Sequence, residues 1–123
     1  MNRIVNPPEL GPPRGFSHAV VAGDTVYLAG QIGAGETIVD QFEAALANLV
    51  VALRASGGDV GDLVSLQVFV TDVSAYQAAL PGLGKAWRNL FGGHYPAMGL
   101  FGVTALFDPA AMVEVMGVAV IQS

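Results

Sequence analysis

The spacing of apolar residues along the chain predicts strands and helices in the order ββ-α-β-α-ββ. Segment 63–71 has the clearest strand pattern, because apolar residues alternate with mostly polar ones and are therefore predicted to face a core. Those apolar residues are Val64, Leu66, Val68 and Val70. Segment 25–32 is apolar on both sides near its middle, which predicts a strand covered on both faces. The remaining predicted strands are Arg3–Val5 within a proline-rich arm, 17–22, 98–106 and 112–121.

The first helix is predicted to begin just after Thr37, a residue type suited to capping a helix N-terminus. Apolar residues then recur at spacings of three or four, which places them on one helix face. They are Ile38, Phe42, Leu46, Leu49 and Leu53. The glycine pair Gly57-Gly58 is predicted to end this helix.

The second helical region is predicted to be capped by Asp72 or Ser74 and is interrupted by Pro81. Proline is tolerated in the first turn of a helix but not in its interior. Two arrangements are therefore open: a helix that restarts around Pro81, or two short helical pieces. Its apolar stripe consists of Leu83, Trp87, Leu90 and Phe91.

These elements predict an α+β fold in which two helices pack on one face of a sheet. The length of 123 residues suits one domain over 1–123. Charged residues make up 12% of the chain and hydrophobic residues 53%, whereas an average soluble domain has roughly 25% charged residues. Such a surface leaves apolar area uncovered, which favours an oligomer.

The net charge of −5 argues against binding to nucleic acid, because the five Lys and Arg residues are scattered rather than clustered. The N-terminal residues lack the apolar stretch of a signal peptide, and no segment has the length of a membrane span. The expected location is therefore the cytoplasm. The chain has no cysteine, and its two histidines, His18 and His94, lack metal-ligand spacing. No metal and no cofactor are predicted.

Glu114 is the most unusual polar position, because it lies between Val113 and Val115 in an otherwise apolar strand. Glutamate is rarely buried, so this pattern by itself favours a side chain that points to solvent. The alternative is a partly desolvated pocket, where the carboxylate could act as a general acid or base.

The order of elements and several short strings resemble the Rid/YjgF (reactive-intermediate deaminase) family over nearly the whole chain. Each string alone is weak, and their combination is fairly specific. The strings are Gly15-Phe16-Ser17-His18-Ala19, Leu28-Ala29-Gly30-Gln31-Ile32, Gln41 with Leu46-Ala47-Asn48-Leu49, Leu66-Gln67-Val68-Phe69-Val70-Thr71-Asp72, Tyr95-Pro96-Ala97, and Val113-Glu114-Val115 with Val118-Ala119-Val120.

The resemblance implies a chorismate-mutase-like fold with a mixed sheet of about six strands, and a homotrimer with small-molecule clefts between neighbouring subunits. Many members hydrolyse imines and enamines without a cofactor. In those members an arginine directly after Pro-Ala holds the substrate carboxylate, and the glutamate of the last strand, here Glu114, positions water. The implied substrate-binding positions are Phe16, Ser17, Gly30, Gln31, Met98 and Leu100.

The sequence departs from the family pattern at the positions that would bind substrate. Met98 replaces the arginine, Phe16 replaces a tyrosine, and Leu100 stands where cysteine is frequent. Methionine offers no donor to a carboxylate, whereas arginine binds one through two charge-assisted hydrogen bonds. The predicted substrate is therefore an imine, an enamine or a related carbonyl compound that lacks an α-carboxylate, hydrolysed or tautomerised with Glu114 as acid–base.

A second hypothesis belongs to a different functional class. The trimer would be catalytically inactive and would bind an apolar small molecule or serve as a regulatory or partner protein. Ribonuclease activity, described for some relatives, fits poorly with the net charge of −5.

Overall fold

A six-stranded mixed sheet forms the centre of the computed structural model, which describes residues 1–122. The strands are β1 (Arg3–Val5), β2 (Ala19–Ala22), β3 (Thr25–Gln31), β4 (Leu63–Val70), β5 (Ala97–Gly102) and β6 (Val113–Val120). The helices are α1 (Ile38–Ala55), α2 (Val73–Ala78) and α3 (Leu80–Phe91). Short 3₁₀ turns cover Pro8–Leu10 and Val60–Asp62. In this described part of the chain, no helix has the length and apolarity required to cross a membrane.

The strands are ordered β1-β2-β3-β6-β4-β5 across the sheet. All neighbouring strands are antiparallel except β4 and β5, which are parallel. A parallel pair needs a crossover connection, and α2 and α3 supply it. The mixed six-stranded sheet predicted from the resemblance is therefore confirmed.

Helix α1 forms where the sequence predicts it and covers one face of the sheet. Thr37 caps its N-terminus by accepting a hydrogen bond from the backbone N–H of Asp40 at 3.1 Å. The apolar stripe contacts β3 and β6, and Phe42, Leu46 and Leu49 are almost completely inaccessible to solvent. The N-terminal cap and the spacing of apolar residues thus determine the helix that packs on the sheet and forms the core with it.

The second helical region is two helices, so the fold has three helices rather than the two predicted. Asp72 caps α2 by accepting from the N–H of Ala75 at 3.0 Å. The chain leaves helical geometry at Ala79, and Pro81 lies in the first turn of α3. There its missing N–H costs no intrahelical hydrogen bond. Of the two arrangements left open by the sequence, the helix that restarts with Pro81 in its first turn is therefore correct, and the restarted helix is 12 residues long.

Two details of the strand predictions are wrong. Val64 is 43% exposed, because the β4–β6 register shifts between Leu63 and Ser65 and Leu63 takes the buried position. Strand β5 ends at Gly102 instead of residue 106, because its parallel partner β4 ends opposite, at Val70. A long loop, 103–112, therefore connects β5 to β6.

The face of the sheet opposite the helices is open to solvent in the single chain. The prediction that β3 is covered on both sides is therefore wrong for one chain, since Val26 and Leu28 are buried while Tyr27 between them is 54% exposed. Other exposed side chains on this open face include Ile4, Phe101 and Met116.

Candidate functional site

A cavity of about 450 Å³ lies where β3 and β6 meet the segment before β2 and the 103–112 loop. Its charged lining residues are Arg14, Asp108 and Glu114. Its remaining walls are formed by Phe16, Ala29, Gly30, Ile32 and Phe107. The cavity combines aromatic and aliphatic walls with a few charged groups, which is typical of small-molecule sites.

Glu114 lies at the floor of this cavity, half-buried on β6. Its carboxylate lies directly against Gly30, since a Cβ atom at residue 30 would be 2.5 Å from Glu114 Oε2. The β3–β6 register is irregular between Leu28 and Gln31, which brackets that glycine. Within residues 1–122 the carboxylate of Glu114 has no hydrogen-bond or ion-pair partner. Of the two environments considered from the sequence, the structure places Glu114 in the pocket.

Phe16 forms one wall, on a segment held in place by His18. The rings of Phe16 and His18 meet edge to face with centroids 5.1 Å apart. The buried imidazole of His18 has Nε2 3.2 Å from the carbonyl oxygen of Gly11 and Nδ1 3.1 Å from Gln31 Nε2. The backbone N–H of His18 also donates to Asn6 Oδ1 at 2.8 Å.

This network changes the role of one predicted site residue. Gln31 is buried and its side chain contacts His18, so it supports the wall that carries Phe16 instead of lining the cavity. Ser17 also lies outside the cavity lining. The sequence offered no signal for the supporting role of His18, because Gly11 and Gln31 are 7 and 13 positions away along the chain.

Met98 and Leu100 do not meet Glu114 within one chain. Met98 pairs with Leu66, whose side chain faces the core, and Leu100 shares that side of β5. Glu114 pairs with Phe69, whose side chain points to the opposite face. Met98 and Leu100 are 44% and 39% exposed at the edge of the sheet. The structure therefore unites Phe16, Gly30 and Glu114 and leaves the β5 pair on a separate surface.

A second cavity, of about 440 Å³, lies beside residues 33–35, but the side-chain amides that line it form hydrogen bonds to the backbone. The amide of Gln41 donates to the carbonyl oxygens of Gly35 and Ala110 and accepts from the N–H of Met112. The amide nitrogen of Asn48 donates to a backbone carbonyl at 2.9 Å. These polar groups hold the surrounding loops together. Among the described residues, no three His, Asp or Glu side chains converge as they would around a metal ion.

The fold and the Glu114 cavity define a class of small α+β proteins with a mixed sheet, helices on one face and a carboxylate at the open face. The chain belongs to the Rid/YjgF family: the family model described as Endoribonuclease L-PSP matches residues 8–121.

Several proteins of similar sequence are named as deaminases. A 2-iminobutanoate/2-iminopropanoate deaminase of Dermatophagoides farinae is 30% identical, with 98% of this chain and 97% of the relative covered. The protein of the same name from Capra hircus is 28% identical, over 93% and 83% of the two chains. A crystal structure of a YjgF/YER057c/UK114 family member from Mycobacterium tuberculosis has a TM-score of 0.84 at 30% identity, covering 98% of this chain and all of that one.

Proposed function

We propose that this protein hydrolyses an imine or enamine that lacks an α-carboxylate, with Glu114 as the acid–base group. The observation that carries this proposal is the position of the Glu114 carboxylate, which lies against Gly30 at the floor of a cavity and has no partner among residues 1–122. A carboxylate without a partner is available to water and to a protonated imine nitrogen. The names of the relatives support deamination as the reaction type.

The chemistry needs one water molecule and one proton carrier. Glu114 takes a proton from water as the water oxygen bonds to the imine carbon, and gives that proton to the imine nitrogen as the π bond opens, which yields a neutral carbinolamine. Glu114 then takes the hydroxyl proton of the carbinolamine and gives it to the amine nitrogen as the C–N bond breaks and the C=O bond forms, so that ammonia departs. Imine and water thus give a carbonyl compound and ammonia, and general acid–base catalysis of this kind contributes about 10²–10⁴-fold in rate.

We further propose that the working site lies between two subunits of a homotrimer. Met98 and Leu100 lie at a sheet edge on the side opposite to Glu114 of the same chain. A neighbouring subunit can bring its own copy of that edge to the Glu114 cavity. The open sheet face, with exposed Tyr27 and Phe101, supplies apolar area for such an interface.

The trimer is tested by placing a charge on the open face. Tyr27→Glu should dissociate the trimer, because an unpaired carboxylate buried in an apolar interface costs several kcal/mol. Sedimentation should give wild type at three times the 12.6 kDa chain mass and the variant at a smaller mass. Leu80→Glu is the matched control, since Leu80 is 53% exposed but lies on α3. A trimer that survives Tyr27→Glu, or wild type that sediments as a monomer, contradicts the proposal.

The choice of substrate is tested at Met98. In the proposed cleft the thioether gives a substrate α-carboxylate no donor, so its desolvation is uncompensated. Met98→Arg should raise kcat/KM for 2-iminopropanoate by about tenfold, since hydrogen bonds to charged groups are worth roughly 1.5–3 kcal/mol. Met98→Gln is the control for size and polarity without charge. Efficient turnover of 2-iminopropanoate by wild type would show that the α-carboxylate is bound elsewhere.

The proposed reaction itself is tested by ammonia release from freshly generated imines with and without a carboxylate. Release from carboxylate-free imines, faster than the spontaneous rate, is the expected result. If neither wild type nor Met98→Arg releases ammonia from any imine of the panel, the result favours the second hypothesis, a binding protein without catalysis. The aromatic and aliphatic walls around Phe16, Ile32 and Phe107 would then accept an apolar ligand.

A further inference from the structure

Arg14 is the single cation among the described residues that line the Glu114 cavity, and the proposed reaction assigns it no role. Its side chain is exposed and makes no hydrogen bond or ion pair with any residue in 1–122. Within the same residues the carboxylate of Glu114 is also without a partner. The cavity thus presents a guanidinium and a carboxylate that do not neutralise each other.

The two groups lie at different depths. Glu114 is at the floor, where its carboxylate touches Gly30. Arg14 precedes Phe16 by two residues and is exposed whereas Glu114 is half-buried, so Arg14 lies on the solvent side of the cavity, here called its mouth. The cavity that both residues line, about 450 Å³, has the volume of a site for a small organic molecule.

The third charged group does not compete for Arg14. Asp108 Oδ1 accepts a hydrogen bond from the backbone N–H of Ala110 at 2.9 Å, so this carboxylate stabilises the backbone turn at residues 108–110. No ion pair joins Asp108 to Arg14 in the described structure. Arg14 therefore keeps its full set of donors for a ligand, and a guanidinium binds carboxylates through paired hydrogen bonds.

We infer that Arg14 binds a carboxylate of the substrate that is separated from the imine carbon by further carbon atoms. This inference takes its reacting group from the proposed function and deepens it. The ligand carries its imine at the Glu114 end, and its distal acid reaches the guanidinium at the mouth. Met98 stands where the family pattern has an arginine that binds an α-carboxylate, and Arg14 would instead bind a carboxylate at a distal position of the substrate.

Binding is measured first, because it does not depend on turnover. The probes are 4-oxopentanoate, a stable carbonyl compound with a distal carboxylate, and its methyl ester, titrated calorimetrically. Wild type should bind the acid about tenfold more tightly than the ester, the low end for a charge-assisted pair because Arg14 is exposed. Arg14→Gln should bind both equally. Arg88→Gln is the matched control, since it removes an exposed arginine from α3 outside the cavity and should keep the preference.

Ammonia release from the imines of the same two compounds separates this inference from the proposed function. The expected result is a higher kcat/KM for the acid than for the ester in wild type and in Arg88→Gln, and equal kcat/KM values for the two compounds in Arg14→Gln. A preference for the acid in binding, without ammonia release, keeps the Arg14 site and overturns the hydrolysis. No preference in wild type, or an equal loss in Arg14→Gln and Arg88→Gln, overturns the inference. No binding of either compound overturns it as well.

Discussion

Glu114→Gln is expected to lower the rate of imine hydrolysis by about 10²–10⁴-fold, the range for loss of a general acid–base group. Glutamine keeps the size and hydrogen-bonding shape of the side chain but cannot take a proton from water. Because the carboxylate of Glu114 has no partner within residues 1–122, its neutralisation breaks no ion pair that holds the fold. The melting temperature and the sedimentation of the variant should therefore match those of wild type.

The kinetic pattern distinguishes catalysis from binding. Loss of an interaction used only in the transition state lowers kcat and kcat/KM together, whereas loss of a ligand contact raises KM with kcat unchanged. Glu43→Gln is the control, since Glu43 is an exposed carboxylate on α1, on the other side of the sheet. A Glu114→Gln protein with wild-type kcat would remove the acid–base role and favour the hypothesis of a non-catalytic binding protein.

The parts of the fold that depend on neighbouring residues in sequence were predictable. Thr37, the apolar spacing after it and the glycines near residue 57 define α1, because capping and periodicity act within a few residues. The position of Val64 was not predictable in this way. Its exposure arises because Leu63 pairs with Ala119 while Ser65 pairs with Val118, so a residue of β4 is left over. That register is set by a strand about fifty positions later in the chain.

The candidate site was predicted in part for a similar reason. Glu114 could be singled out because a carboxylate interrupts an apolar strand, and the resemblance indicated a pocket. The segregation of Met98 onto the other face follows from the pairing of β5 with β4, which the sequence does not display. Arg14 carried no signal at all, since one arginine among scattered cations has no pattern until the fold brings it to a cavity.

Gly30→Ala is expected to lower turnover by about 10²-fold, because it displaces the Glu114 carboxylate without removing it. The added Cβ would lie 2.5 Å from Oε2 and 2.8 Å from Cδ of Glu114, and both distances are shorter than nonbonded contacts of a Cβ atom. The carboxylate must then move by about 1 Å, and a misplacement of that size can cost about 10²-fold in rate. Kinetics with a carboxylate-free imine measure this effect.

The fold should tolerate this alanine, which makes the prediction specific to the site. The group displaced at Gly30 is the end of a flexible, half-buried side chain, so the loss of stability should be about 1 kcal/mol, the low end for overpacking. At Gly33 the added Cβ would instead lie 2.5 Å from the backbone nitrogen of Ala45, and Gly33→Ala should unfold the protein at a clearly lower temperature. Gly93→Ala is the neutral control, because nothing lies within 4 Å of its Cβ position.

A double mutant then decides whether Gly30 acts through Glu114. If the alanine acts only by displacing the carboxylate, Gly30→Ala should cost nothing further once Glu114→Gln has removed the proton acceptor, and the two losses should be strongly non-additive. Additive losses would mean that Gly30 affects the substrate directly, as a main-chain contact on the cavity wall. Full activity in Gly30→Ala would mean that the carboxylate can move by about 1 Å without consequence, which is incompatible with a positioned acid–base group.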